Sequence, residues 1–130
     1  TIEYALYPHK GNWKNASTVQ RGYEFNNPLL VVETDIHRGK LPESMSFVQL
    51  SPTHLVLTTV KKSEDSPAWI FQWYDARGEE AEATLTLPMP PKTVLTSNFL
   101  EEDGTKVEFK KNVVNVRTKK NSVVTLKVYF

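Results

Sequence analysis

Ten short segments of this chain alternate apolar and polar side chains with a period of two, and that alternation is what most limits the folds available to it. They are Ile2 to Tyr7, Leu29 to Thr34, Ser46 to Leu50, Leu55 to Lys61, Trp69 to Asp75, Ala81 to Leu87, Lys92 to Thr96, Lys106 to Lys110, Val113 to Thr118 and Ser122 to Tyr129. A period of two puts every second side chain on one face of a strand, whereas a helix would scatter the same residues around its axis. Turn chemistry separates the segments: Arg38-Gly39-Lys40, Ser51-Pro52, Ser63 to Pro67, Arg77-Gly78, Pro88 to Pro91 and Asp103-Gly104. Composition agrees, because 14 Val, 3 Ile and 13 Thr make 30 of 130 residues β-branched against 6 Ala. The expected fold class is all-β, an antiparallel β-sandwich with one short helix near the N-terminus.

The helix is expected where Trp13, Ala16, Val19 and Tyr23 recur at three to four residues, ending near Asn26-Asn27-Pro28, with Asn12 as its N-terminal cap and Gly22 weakening its interior. Residues 1–130 read as a single β-sandwich domain. The chain opens on Thr1 with strand-like sequence immediately behind it, so it is expected to be a fragment of a larger multidomain protein.

Charge and cysteine content narrow the chemistry. Sixteen Lys plus Arg against fifteen Asp plus Glu give a formal charge of +1, so no global field favours nucleic acid, an anionic membrane or an acidic partner. Without cysteine there is no disulfide framework, thiolate metal site or cysteine nucleophile. No apolar run approaches the roughly 20 residues of a membrane helix, and no basic stretch followed by an apolar core stands at the N-terminus. Neither nucleic acid nor membrane is an expected partner.

His9, His37 and His54 fall on different expected elements, without ligand spacing between them, so no metal site and no catalytic residue is expected in this chain. No Gly-x-Ser-x-Gly elbow is present. Glu64-Asp65, Glu79-Glu80 and Glu101-Glu102-Asp103 each lie in or beside a turn, where solvated charge is a better reading than a glycosidase acid and nucleophile. Seven basic residues from Lys106 onward face one acid, Glu108, and read as guards on strand edges. Trp69, Phe71 and Trp73 share one face of a strand that is apolar on both sides, which marks them as core residues rather than a sugar-stacking platform. Asn15-Ala16-Ser17 matches a glycosylation acceptor but falls in the expected helix.

Longer stretches resemble a known family. Glu3-Tyr4-Ala5-Leu6-Tyr7-Pro8-His9-Lys10-Gly11-Asn12-Trp13, followed by Phe25-Asn26-Asn27-Pro28-Leu29, is similar to the start of the C-terminal β-domain of glycoside hydrolase family 38 α-mannosidases. Val56 to Asp65, Trp69 to Tyr74, Ser97-Asn98-Phe99-Leu100-Glu101-Glu102 and Val123 to Lys127 resemble later segments of that domain in the same order. Between Asp35 and Leu50 the resemblance is weakest.

The resemblance implies a parent enzyme that removes mannose with retention through a glycosyl-enzyme intermediate, with zinc gripping the sugar hydroxyls. It places nucleophile and zinc in a missing N-terminal barrel, so this fragment is expected to be non-catalytic and to need no cofactor of its own. Its expected partners are the remaining domains of the parent α-mannosidase and, through them, mannose-containing glycans. His9, Lys10 and Trp13 are the candidates for residues that face those domains or lie beside the sugar. Gln72 stands where many relatives carry an Arg, and Asn12 where they carry an acid, so an ion pair and a negative charge at the helix start are expected to be absent. An independent carbohydrate-binding module and an Ig-like interaction domain are the alternatives; Trp13 separates the first reading from the carbohydrate-binding module, being structural if buried beneath the helix and able to meet sugar if exposed beside His9.

Overall fold

Every strand among the described residues lies after residue 48, and all of them pair antiparallel. The computed structural model describes residues 2–130. They fall into two units, one ending at Met45 and one running from Ser46 to Phe130.

The second unit is the sandwich. Its strands are β1 (Gln49–Ser51), β2 (Leu55–Lys62), β3 (Trp69–Asp75), β4 (Ala81–Thr86), β5 (Thr93–Ser97), β6 (Asp103–Lys106), β7 (Phe109–Lys110), β8 (Val113–Thr118) and β9 (Val123–Tyr129). One sheet has the order β1-β4-β8-β7 and the other β2-β3-β9-β5-β6. Register makes the alternation cooperative: Phe71 lies opposite Leu126, Val94 opposite Val128, and Leu85 opposite Val114, so each row presents one apolar surface inward. Those residues form the core together with Leu55, Trp73, Ala83 and Leu87. The Trp73 indole N–H donates to Thr118 Oγ1 at 2.9 Å, a bond from one sheet to the other.

Asp75 closes one end. Its carboxylate accepts from the backbone N–H groups of Arg77 (2.8 Å), Glu79 (2.9 Å) and Asn121 (2.9 Å), so the β3–β4 and β8–β9 turns share one anchor. Burial alone would raise its pKa, but those N–H donors hold it below the ordinary carboxylate value.

Four expected strands differ: Ser46 to Leu50 is strand only from Gln49 onward, and the expected turn Asp103-Gly104 instead opens β6. Residues 2–7 and 29–34 form no strand: Ile2, Tyr4, Leu6 and Leu29 to Val32 are all exposed, because alternation supplies a face to bury but not the neighbour whose N–H and C=O groups a strand needs. Lys106 to Lys110 is not one strand but the hand-over between sheets. The Val107 N–H donates to Val94 O at 2.8 Å, and two residues later Phe109 pairs with Val114 in the other sheet.

In the first unit, α1 spans Thr18–Asn26, shorter than the expected helix. Asn12 does not cap it. Its carbonyl accepts from Asn15 N–H and Ala16 N–H, and its side chain accepts from Asn15 N–H at 3.1 Å, which closes a separate turn containing Trp13. Ser17 then takes a left-handed conformation (φ 54°) that breaks the helical path, and α1 begins after it. Arg21 and Gln20 both bond Glu24 along the helix surface, and the Asn26 and Asn27 side chains donate to the carbonyls of Gly22 and Tyr23 at its end.

Candidate functional site

Core residues should be covered from both sheets, and at one end of the sandwich they are not. Val60, Trp69 and Phe71 point inward from β2 and β3, yet β1 contributes only three residues to the facing sheet. Phe71 is sealed at 1% exposure, while Val60 and Trp69 remain 44% and 43% exposed. Trp69 therefore departs from the expectation for its strand: it shares the face of Phe71 and Trp73 but lacks a lid. Phe47, Val48, Pro88, Met89 and Phe130 complete a groove of about 350 Å³. The lining side chains are aliphatic, aromatic or thioether, with the Trp69 indole N–H among them as a polar group, so the groove offers mainly hydrophobic contact.

The carboxylates behave differently from solvated turn charges in one case. Glu101 is 9% exposed. Its carboxylate meets Lys61 Nζ at 2.6 Å and accepts from Ser63 Oγ at 2.7 Å and the Glu64 N–H at 3.0 Å. Its own carbonyl accepts from Lys127 Nζ at 2.9 Å, and Lys127 also pairs with Asp103 at 2.8 Å. Lys61, Ile70 and Lys127 lie in one register row on the outer face of the sheet, so Glu101 spans Ile70 from above.

This arrangement is a clasp rather than a proton donor. Lys61, then Ser63 and the Glu64 N–H, hold the Glu101 carboxyl down from 4.5 to about 2. A general acid needs the opposite shift. Because the folded value is the lower one, the stabilisation is complete above pH ~4.5 and lost as pH falls toward ~2. Glu101→Gln is expected to be less stable at neutral pH and to show a shallower loss of stability across that window, measured as the urea midpoint against pH. An unchanged acid slope would contradict the assignment.

Among the described residues no three His, Asp or Glu side chains converge as a metal site. His37 Nδ1 lies 2.8 Å from the Asp35 carbonyl, and His9 Nδ1 lies 3.5 Å from the Lys10 carbonyl. The basic residues after Lys106 do not make one patch: Lys110 and Lys111 lie at one end of β8, Lys119 and Lys120 at the other, roughly 20 Å apart. Lys127 is buried in its pair with Asp103.

His9, Lys10 and Trp13 are exposed in the first unit. The Tyr7 hydroxyl donates to the Ala16 carbonyl at 3.0 Å, the Tyr7 and His9 rings lie 5.7 Å apart, and Lys14 Nζ sits 5.7 Å from the Trp13 ring centre.

Comparison with known proteins agrees with this fold. The family described as "Glycosyl hydrolases family 38 C-terminal beta sandwich domain" matches residues 54–129, the span from the start of β2 to the end of β9. Alpha-mannosidase 2C1 of Homo sapiens is 33% identical over 101 residues, covering 75% of this chain and 10% of that protein. Alpha-mannosidase G of Dictyostelium discoideum is 29% identical over 103 residues, covering 76% and 10%. A putative mannosylglycerate hydrolase of Halalkalibacterium halodurans is 28% identical over 125 residues, covering 96% and 14%. The chain thus spans about a tenth of the length of the curated relatives it matches. With the sandwich topology and a family match over more than half its length, the chain belongs to the glycosyl hydrolase family 38 C-terminal β-sandwich domains.

Proposed function

We propose that this chain is the non-catalytic C-terminal β-domain of a retaining, zinc-dependent α-mannosidase, and that its work is to pack against and complete the catalytic part. The observation that carries the reading is the uncovered end of the core, where inward-facing Val60 and Trp69 line a mainly apolar groove. The occupant is an apolar surface of the parent's remaining domains, since in the relatives about nine-tenths of the polypeptide lies outside the matched segment. Retention, zinc and action on mannose-containing glycans rest on the family resemblance. The groove offers sugar hydroxyls few polar partners, whereas the exposure of Trp13 is the feature expected of a carbohydrate-binding module, which stands as the second reading.

Phe47 and Met89 test the groove, because both are more than half exposed. The double variant Phe47→Glu, Met89→Glu is expected to change the stability of the 130-residue chain by no more than ~0.5 kcal/mol per site. In the complete polypeptide the same charges would be buried unpaired, and its melting temperature is expected to fall by several degrees. Equal melting of variant and parent polypeptides would contradict the docking role.

His9, Lys10 and Trp13 form the second part of the proposal, as the surface of the first unit that faces the parent's other domains. Replacing His9 and Lys10 with Ala in the complete enzyme is expected to lower activity or heat stability while the 130-residue chain stays folded. Unchanged activity together with unchanged heat stability would remove this part and leave the groove standing.

A further inference from the structure

The connection between β5 and β6 lifts two large apolar side chains into solvent, Phe99 and Leu100, each 75% exposed. Isolated exposed apolar residues are ordinary on protein surfaces. These two are distinguished by how firmly their backbone is held. Asn98 Oδ1 accepts from the N–H groups of Leu100 (3.0 Å) and Glu102 (3.1 Å), and Asn98 Nδ2 donates to Glu102 Oε2 at 2.6 Å. The Glu101 N–H donates to the Asn98 carbonyl at 3.2 Å, and Ser97 Oγ donates to the Glu102 carbonyl at 2.9 Å. Glu101 itself takes a left-handed conformation, φ 60°, unusual for a residue with a long side chain.

That conformation is sustained by the clasp. With its carboxylate on Lys61, Ser63 and the Glu64 N–H, and its carbonyl on Lys127, Glu101 is tied to both β2 and β9. Backbone strain persists only where surrounding contacts over-determine it. The consequence is a turn whose polar groups point back into the domain while the adjacent apolar pair points away. A preformed apolar pair loses little conformational freedom on binding, which favours its use as an anchor.

The surroundings specify the partner's chemistry. Of the acids around the turn Glu101 is buried against Lys61, while Glu64, Glu102 and Asp103 are exposed and Lys127 is buried, so the exposed rim is acidic. An acidic rim is repelled by an anionic membrane and complements a basic one. We propose that Phe99 and Leu100 are a paired anchor that seats in an apolar, basic-rimmed pocket on the adjoining part of the longer polypeptide. The proposal rests on the reading that this domain belongs to such a polypeptide, and it adds a second contact on the outer face of the sheet, away from the groove.

The absence of cysteine permits a site-specific test. Leu100→Cys, and Phe99→Cys as a repeat, are labelled with a maleimide in the 130-residue chain and in the complete polypeptide, with exposed Lys110→Cys as reference and the label read on the peptide that carries it. Labelling at positions 99 and 100 is expected to be at least ~10-fold slower in the complete polypeptide, with position 110 equally reactive in both. Equal rates overturn the proposal. Protection that appears in the 130-residue chain as its concentration rises, or only on anionic vesicles, overturns it in favour of a second copy or a membrane. The same complete polypeptide is assayed on an aryl α-mannoside: hydrolysis with unprotected cysteines sinks the anchor and keeps the mannosidase reading, and protection without hydrolysis does the reverse.

Discussion

Truncating Trp73 to Ala is expected to cost about 3 to 5 kcal/mol, several times the effect of a typical surface substitution. Trp73 has no exposed surface, and its ring lies between rows supplied by both sheets. Two losses combine. Removing the indole leaves a cavity that β-sheet backbones on either side cannot easily close, and it strips the buried Thr118 hydroxyl of its partner. Trp73→Phe separates them: the smaller ring refills part of the space and still leaves Thr118 without the indole N–H, so a loss of roughly 1 to 3 kcal/mol is expected. Urea titration reads both as a lower midpoint with unchanged slope. A Trp73→Ala protein that unfolds at the parent's urea concentration, yet loses an interaction with mannose oligomers, would turn the residue from core to binding platform.

Much of the sandwich was legible because inward and outward positions repeat without interruption along its longer strands. Trp69 to Asp75 and Val113 to Thr118 were read residue for residue, since each is bounded by turn residues that end the pattern where the ladder ends. The hand-over at Val107 was hidden for the converse reason. Alternation continues across it from Lys106 to Lys110 while the hydrogen-bonding partner changes from β5 to β8, and a periodic pattern carries no information about partner identity. The same blindness explains residues 2–7 and 29–34, which alternate as strands should and have no ladder among the described residues.

The candidate sites were less visible. Trp69 has the spacing of a core residue, and its exposure follows from the three-residue length of β1 in the opposite sheet, which no local pattern around Trp69 records. Glu101 sits among acids in a turn, and its clasp on Ser63 spans 38 residues of sequence. The Ser97-Asn98 pair was a usable signal, because an Asn at that position accepts from the backbone two and four residues on and so marks an ordered turn rather than a loose one.

If this chain is the accessory β-domain of an α-mannosidase and not its catalyst, hydrolysis of an aryl α-mannoside separates the two. The complete polypeptide and the 130-residue chain are compared at equal concentration, each repurified and assayed again. Steady phenol release is expected from the complete polypeptide, and a rate indistinguishable from buffer from the chain alone. Release by the isolated chain that survives repurification, or a complete polypeptide that is folded and inert, would contradict that reading.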